Sequence, residues 1–583
     1  MLRWFKRGAL VLLLLIMAVF GTGWWLLHGS VATMDGTQSL TGLSAPVQIE
    51  RDALGVVTIH AANQTDAMRA LGYVHAQERF FEMDLLRRSA AGELSELFGS
   101  VAVDLDKSRR VHRLRARLHD GQLATFAGNA MPQLTAYTEG VNAGLAGLSV
   151  RPWPYLLLRS QPAPWLAEDS ALAVDAMFFD LQGGNNKDEL TLWRIRQSLP
   201  PALFTLLSSD GTQWDAPLQG QPRGDVALPD TATLDLRTLP APGIDGNPPY
   251  VDADKPGSNN FAVSGALTAD GRAILANDMH LSLRAPNIWF RARLVYPDAQ
   301  SPVEKVDISG FTLPGVPGVV VGSNTHVAWG FTNSYGDWMD WVEDCAPADA
   351  ACDTAEKTLH ETIRIKGTKS FELKVVETAF GTRTPDITGR DAKLSLAWTA
   401  HRPGALTMGL GAMGTVTTTA SAVEVLNHAG IPAQNAMIVD SQGHIAWTIA
   451  GRIPDKHADF GCNRAAPSRI PPPPSAPPPP GTPLPAASAD SPCTPWSQWA
   501  ESNPSIIDPP SHRLWTANNR VSDAADLAAI GDSGYDLGAR AKQIRDDLFA
   551  KEQFNERDLL AIQLDDRALF LQRWWLQLRA LVQ

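Results

Sequence analysis

Gly257-Ser258-Asn259-Asn260-Phe261-Ala262-Val263-Ser264-Gly265 is the stretch that decides how this chain is read. It ends a proline-broken, acidic connector, Val251-Asp252-Ala253-Asp254-Lys255-Pro256, and opens an alternating run with the pattern of a β-strand. A glycine-serine pair before a strand is ordinarily a turn. It acquires a second meaning if the Gly257–Ser258 bond is cut. Ser258 then becomes a terminus that carries a hydroxyl and a free α-amine, a nucleophile and its base on one residue. An α-amine titrates at about 7.7–8.0, close enough to neutrality to accept a proton.

Other stretches extend this reading. Ala70-Leu71-Gly72-Tyr73-Val74-His75-Ala76-Gln77-Glu78-Arg79 lies in a helical pattern. Asn277-Asp278-Met279-His280-Leu281, Gly322-Ser323-Asn324-Thr325-His326-Val327-Ala328-Trp329-Gly330-Phe331-Thr332-Asn333, Asp337-Trp338-Met339-Asp340 and Leu514-Trp515-Thr516-Ala517-Asn518-Asn519-Arg520-Val521 follow the serine. Together with Ser258-Asn259-Asn260-Phe261 they resemble the penicillin acylase family of N-terminal-nucleophile hydrolases, from about Pro46 to the end of the chain. Met279 stands where the family has proline.

The resemblance implies an α+β fold, a four-layer α/β/β/α sandwich, with the C-terminal part incomplete because family members run further. It implies self-cleavage between Gly257 and Ser258, giving an α-chain-like region at 33–220, a spacer at 221–257 and a β-chain-like region at 258–583. Ser258 is then the nucleophile. The Asn333 N–H and the Asn518 side chain are oxyanion donors, His280 orients by hydrogen bonding, and Arg540 sits beside the serine. A structural calcium ion is implied at Glu189, Asp337, Asp340 and the Met339 carbonyl, whose hard oxygen donors suit that ion. No organic cofactor is expected. Each residue also has a plainer reading: an asparagine pair or acidic run as a turn, Glu189 as a helix-start carboxylate favoured by the dipole, Arg540 as a surface charge. His75 and Glu78 read as a packed helix pair without a catalytic role.

Composition sets the frame. The 583 residues are 44% apolar with a net charge of −12, a globular composition without the clustered Lys and Arg that nucleic acid requires. Arg3, Lys6 and Arg7 precede an apolar run at 9–27, and Ser30-Val31-Ala32 offers small residues for cleavage, so 1–32 reads as a signal peptide or membrane anchor. Either places the body outside the cytoplasm, periplasmic or extracellular, where Cys345–Cys352 and Cys462–Cys493 disulfides are permitted.

Locally, Pro46 to Ala62 predicts two strands about a turn at Gly55, and Thr65 caps a long amphipathic helix. Helices broken by proline near 152–164 run from about Leu123 to Leu206, and about 361 to 448 reads as strands and hairpins. A proline-rich insertion occupies about 467–495, with 470–485 as polyproline II.

The expected activity is hydrolysis of the amide of an N-acylated small molecule, such as a penicillin, through an acyl-enzyme. An acyl-homoserine lactone or lipopeptide acylase is the enzymatic alternative. A non-catalytic, truncated, membrane-tethered binding protein is the alternative of another class.

Overall fold

The computed structural model of the chain describes residues 2–183, 189, 192, 195–196, 199–208, 211–238, 257–299, 301–343, 356–378, 381–383, 394–455, 484–485 and 498–583. All four cysteines, and the proline-rich insertion apart from Leu484–Pro485, lie outside these. That pair of residues runs parallel to Val342 and Glu343 as a short strand rather than as polyproline II. Helices and sheets are mixed along the chain, as an α+β protein requires. The described contacts divide it into two units.

The first unit comprises Met1–Ala176, Pro286–Val320 and Thr362–Glu372. Its opening helix, Leu2–Gly29, is exposed over most of its length and is long and apolar enough to cross a membrane. The two predicted strands are present: Gln48–Arg51 pairs with Val57–His60 across a turn where Gly55 takes φ 77°. Val57–His60 runs parallel to Phe290–Pro297, which pairs antiparallel with Lys305–Thr312.

The long helix, Gln64–Ala91, starts two residues earlier than Thr65 as its cap would allow. Asn63 is the cap, its side chain accepting from the Asp66 N–H at 2.9 Å, and an asparagine outcompetes threonine there. Gly92 ends the helix in the left-handed conformation. The helix lies against Met131–Ala146 so closely that a Cβ on Gly140 would stand 2.0 Å from the Arg69 carbonyl oxygen.

His75 and Glu78 do not pair with each other. The His75 ring bonds the Tyr137 and Thr312 hydroxyls at 2.8 and 2.9 Å, and Glu78 meets Arg51 at 2.6 Å. Burial, aided by Arg79, pushes His75 down to about 3, so it stays neutral. It is a core residue, in keeping with its non-catalytic reading.

The second unit comprises Met177–Ala285, Val321–Glu361 and Leu373–Gln583. At its centre a three-stranded antiparallel sheet places Gly257–Val263 between Ile274–His280 and Arg513–Thr516. Alternation normally marks a half-buried strand. Here both faces are covered. Phe261 and Val263 pack with Trp515 and with Ala541, Ile544 and Leu548 of the helix Ala539–Phe549. Ala262, on the other face, packs with Met437, Val439, Trp447 and Ile449.

Those last residues belong to a second sheet in which Val327–Asn333, Gln434–Asp440 and Ile445–Ala450 pair antiparallel in that order. Turns bound these strands, with Thr325 at φ 74° before the first of them and Gly443 at φ 91° between the last two. The segment read wholly as strands contains a helix, Thr419–His428. Thr418 and Ser421 cap it reciprocally and outweigh the strand preference of its β-branched neighbours.

Candidate active site

Ser258 is the second residue of the central strand and is buried. Strand pairing sets it opposite Met279, and Gly257 opposite His280. Three distant segments converge on it. The Asn333 N–H, at the end of Val327–Asn333, donates to Ser258 Oγ at 3.3 Å. The Ser258 N–H donates to Asn518 Oδ1 at 2.7 Å. Arg540, at the start of its helix, donates through Nη1 to the Ser258 carbonyl at 2.9 Å and through Nη2 to Asn518 Oδ1 at 2.8 Å.

The Asn518 amide is thereby held in one sense. Its oxygen accepts from Ser258 and Arg540, and its nitrogen donates to the Asn333 carbonyl at 3.0 Å. The residue is fully buried with φ 68°, a left-handed conformation that asparagine tolerates better than most side chains. Asn333 is fixed from a second side, because its own Nδ2 donates to the Leu181 carbonyl at 2.8 Å.

His280 stands against Gly257 rather than against the serine hydroxyl. A Cβ at position 257 would lie 3.2 Å from His280 Nδ1 and 3.4 Å from Arg540 Nη2. The imidazole is bonded to Asp278 and lies 3.4 Å from Asn259 Nδ2. Asp278 also accepts from Asn259 at 2.9 Å and from Gln563 at 3.0 Å. Burial alone would raise the Asp278 carboxyl, but the bonds from His280, Gln563 and Asn259 hold it below the ordinary carboxylate range. Asn259 in turn accepts from Arg540 Nη1 at 2.8 Å, so this network reaches the guanidinium that holds Ser258.

Asn259, Asp278 and Gln563 had no assigned role in the sequence. Asp278 and His280 are two apart on one strand, hence on one face, and that spacing was a usable signal. Gln563 carried no local signal, since only folding brings it to the strand.

In the same unit Glu189, Asp337 and Asp340 bring ligand oxygens within 4.8 Å of one another, and all three side chains are buried. Oxygen donors so grouped are of the kind that a hard cation takes as ligands. Met339 opens the strand Met339–Glu343, opposite Trp398.

A buried serine hydroxyl with a backbone N–H directed at it, and a buried amide beside it, is an arrangement suited to acyl transfer through a tetrahedral intermediate. Residues 46–582 match the model of the penicillin amidase family. The chain belongs to the penicillin amidase family, whose members are hydrolases of amide bonds.

It is 30% identical over 563 residues to the penicillin acylase 2 proenzyme of Pseudomonas sp. strain SE83, covering 92% of this chain and 67% of that protein. It is 27% identical over 579 residues to an acyl-homoserine lactone acylase of Pseudomonas aeruginosa, covering 93% and 63%. The chain thus spans about two thirds of the length of these relatives. A thermostable penicillin G acylase from Alcaligenes faecalis superposes with a TM-score of 0.39 at 17% identity, over 52% of this chain and 51% of that one.

Proposed function

We propose that this chain is a self-processing acylase that hydrolyses the amide of an N-acylated small molecule through an ester on Ser258. The observation that carries the reading is the convergence of Asn333, Asn518 and Arg540 on one serine at the head of a buried strand. In the proposed maturation, Ser258 Oγ attacks the Gly257 carbonyl carbon. The C–N bond breaks and the nitrogen takes the hydroxyl proton, leaving an ester and a free α-amine. Water then cleaves the ester, leaving a Gly257 carboxylate and a restored hydroxyl.

Maturation supplies the base. Until the bond is cut the Ser258 nitrogen is an amide and accepts no proton. After the cut it is an amine on the same residue as the nucleophile. In turnover the amine takes the Oγ proton, through water, as Oγ adds to the substrate carbonyl, and returns it to the departing amine. Water then releases the acid from the acyl-enzyme. The Asn333 N–H and the Asn518 amide, which carries two hydrogens, stabilise the oxyanion. Arg540 orients the serine backbone and Asn518. His280, bonded to Asp278, orients the network beside Gly257 and is not the general base.

Glu189, Asp337 and Asp340, with the Met339 carbonyl, would hold a calcium ion, whose contribution is to fasten the chain segments that bear them. The layers about the central strand support the four-layer sandwich of N-terminal-nucleophile hydrolases: helix against the Phe261 face, second sheet against the Ala262 face. The apolar opening helix supports export, with the helix as cleavable signal or anchor.

The named relatives include both penicillin acylase and acyl-homoserine lactone acylase, so the acyl-homoserine lactones form the second substrate class to assay. The test is Ser258→Ala beside wild type. Wild type is expected to yield a new chain beginning at Ser258 and to release acid from one of these substrates. The variant is expected to stay whole and inactive. A folded wild-type chain that is never cut contradicts the reading and favours a non-catalytic binding protein.

A further inference from the structure

The segment 212–225 is rich in Gly, Pro and Asp, yet it is fastened to the stretch that carries Asn518, just past the strand Arg513–Thr516. Asp215 and Arg520 form a buried ion pair at 2.6 Å, with side chains 6% and 4% exposed. The same Arg520 Nη2 donates to the Gln221 carbonyl at 2.9 Å, and Asp215 also accepts from the Arg223 N–H at 2.7 Å. Both the Trp515 indole and the Asn519 amide donate to the Ala216 carbonyl, at 3.0 and 3.1 Å. The Leu218 and Gln219 N–H groups donate to the Val521 carbonyl at 3.0 and 3.1 Å. Asp523 accepts from the Gln221 N–H at 3.2 Å and from Arg520 at 2.6 Å. Asp225 closes the segment on itself by accepting from the Gln213 N–H at 2.9 Å.

The attachment stops there. Among the described residues from 226 to 238, hydrogen bonds link only residues two to four apart in the sequence, and most side chains are exposed.

We infer that residues 212–225 are a clasp that seats Asn518, and that the upstream maturation cut falls after Asp225, leaving the clasp on the α chain. Asn518 holds a left-handed backbone while the two residues after it, Asn519 and Arg520, are tied to Ala216 and Asp215. Losing the clasp would free both ties and expose a charge that is now buried and paired. Asp215, Arg520 and Asp523 are therefore positioning residues for the oxyanion site. This inference rests on the self-processing reading and moves the start of the spacer from 221 to beyond 225.

Intact masses of both chains in self-cleaved wild-type protein test the boundary. The expected upstream chain ends at or after Asp225. Active protein whose upstream chain ends earlier overturns the inference and leaves the function reading standing, whereas a chain never cut overturns both.

The positioning role is tested by steady-state kinetics on an N-acyl p-nitroanilide. Asp215→Asn leaves Arg520 with a buried unpaired charge and can prevent folding, so Asp523→Ala, which keeps the buried pair, is measured beside it. For folded, self-cleaved Asp523→Ala, kcat is expected to fall about fivefold with KM within about twofold, the signature of a misplaced oxyanion donor. Unchanged kcat, or a loss confined to KM, overturns the positioning role.

Discussion

Asn518 shows what one residue must satisfy in this site. It is fully buried, takes a left-handed backbone, accepts from two donors and gives its own amide to Asn333. Alanine there would take away the acceptor of the Ser258 nitrogen, leave Arg540 Nη2 with Asp536 alone, and remove the proposed oxyanion donor. Asn518→Ala is expected to lower kcat about 100- to 1000-fold with little change in KM, measured on self-cleaved protein. At this scale the sequence was informative where a motif word named the residue: Ser258, Asn333, Asn518 and Arg540 are brought together, although they span more than 280 positions. It was silent on Asn259 and Gln563, whose partners only the fold supplies. The strand register sets His280 opposite Gly257, next to Met279, which stands opposite the serine.

The Ile274–His280 strand is tied to its surroundings through one carboxylate. Asp278 accepts from His280 on its own strand, from Asn259 on the Gly257–Val263 strand and from Gln563 at the end of the helix Glu556–Gln563. These bonds hold its folded titration below that of an unfolded aspartate, about 3.9. The sign follows: the stability it confers is present above that value and is lost as pH falls through the folded one. Asp278→Asn is expected to melt below wild type at neutral pH, with the gap closing below about pH 4, measured by thermal denaturation across pH.

Periodicity and turn residues made the elements legible where they were local, as with the Gly55 turn, the long helix and the hairpin after Asp440. Where capping decides, the reading slipped. Asn63 rather than Thr65 starts the long helix, and the Thr418–Ser421 box turns a β-branched stretch into helix. Burial of both faces of the central strand was illegible, because much of the cover, from Met437 to Leu548, comes from distant parts of the chain.

At the scale of the whole molecule, cutting the chain removes one covalent tie and leaves the non-covalent ones to hold the parts. The clasp at 212–225 would be one such tie, and the Glu189, Asp337 and Asp340 cluster, if bridged by a cation, another, joining positions on either side of Ser258. If calcium occupies the cluster, a chelator is expected to lower the melting temperature of the purified protein, added calcium to restore it, and Asp340→Asn to abolish the response. A melting temperature indifferent to chelator and to calcium would remove the metal from the account.

The proposed catalytic base exists only if Ser258 becomes a chain terminus. The most direct measurement is N-terminal sequencing of the purified protein, with the Ser258→Ala variant alongside. Two chains are expected, one starting Ser258-Asn259-Asn260-Phe261, and a single uncut chain in the variant. A folded wild-type protein that keeps its Gly257–Ser258 bond would contradict that expectation, because the catalytic base would never form.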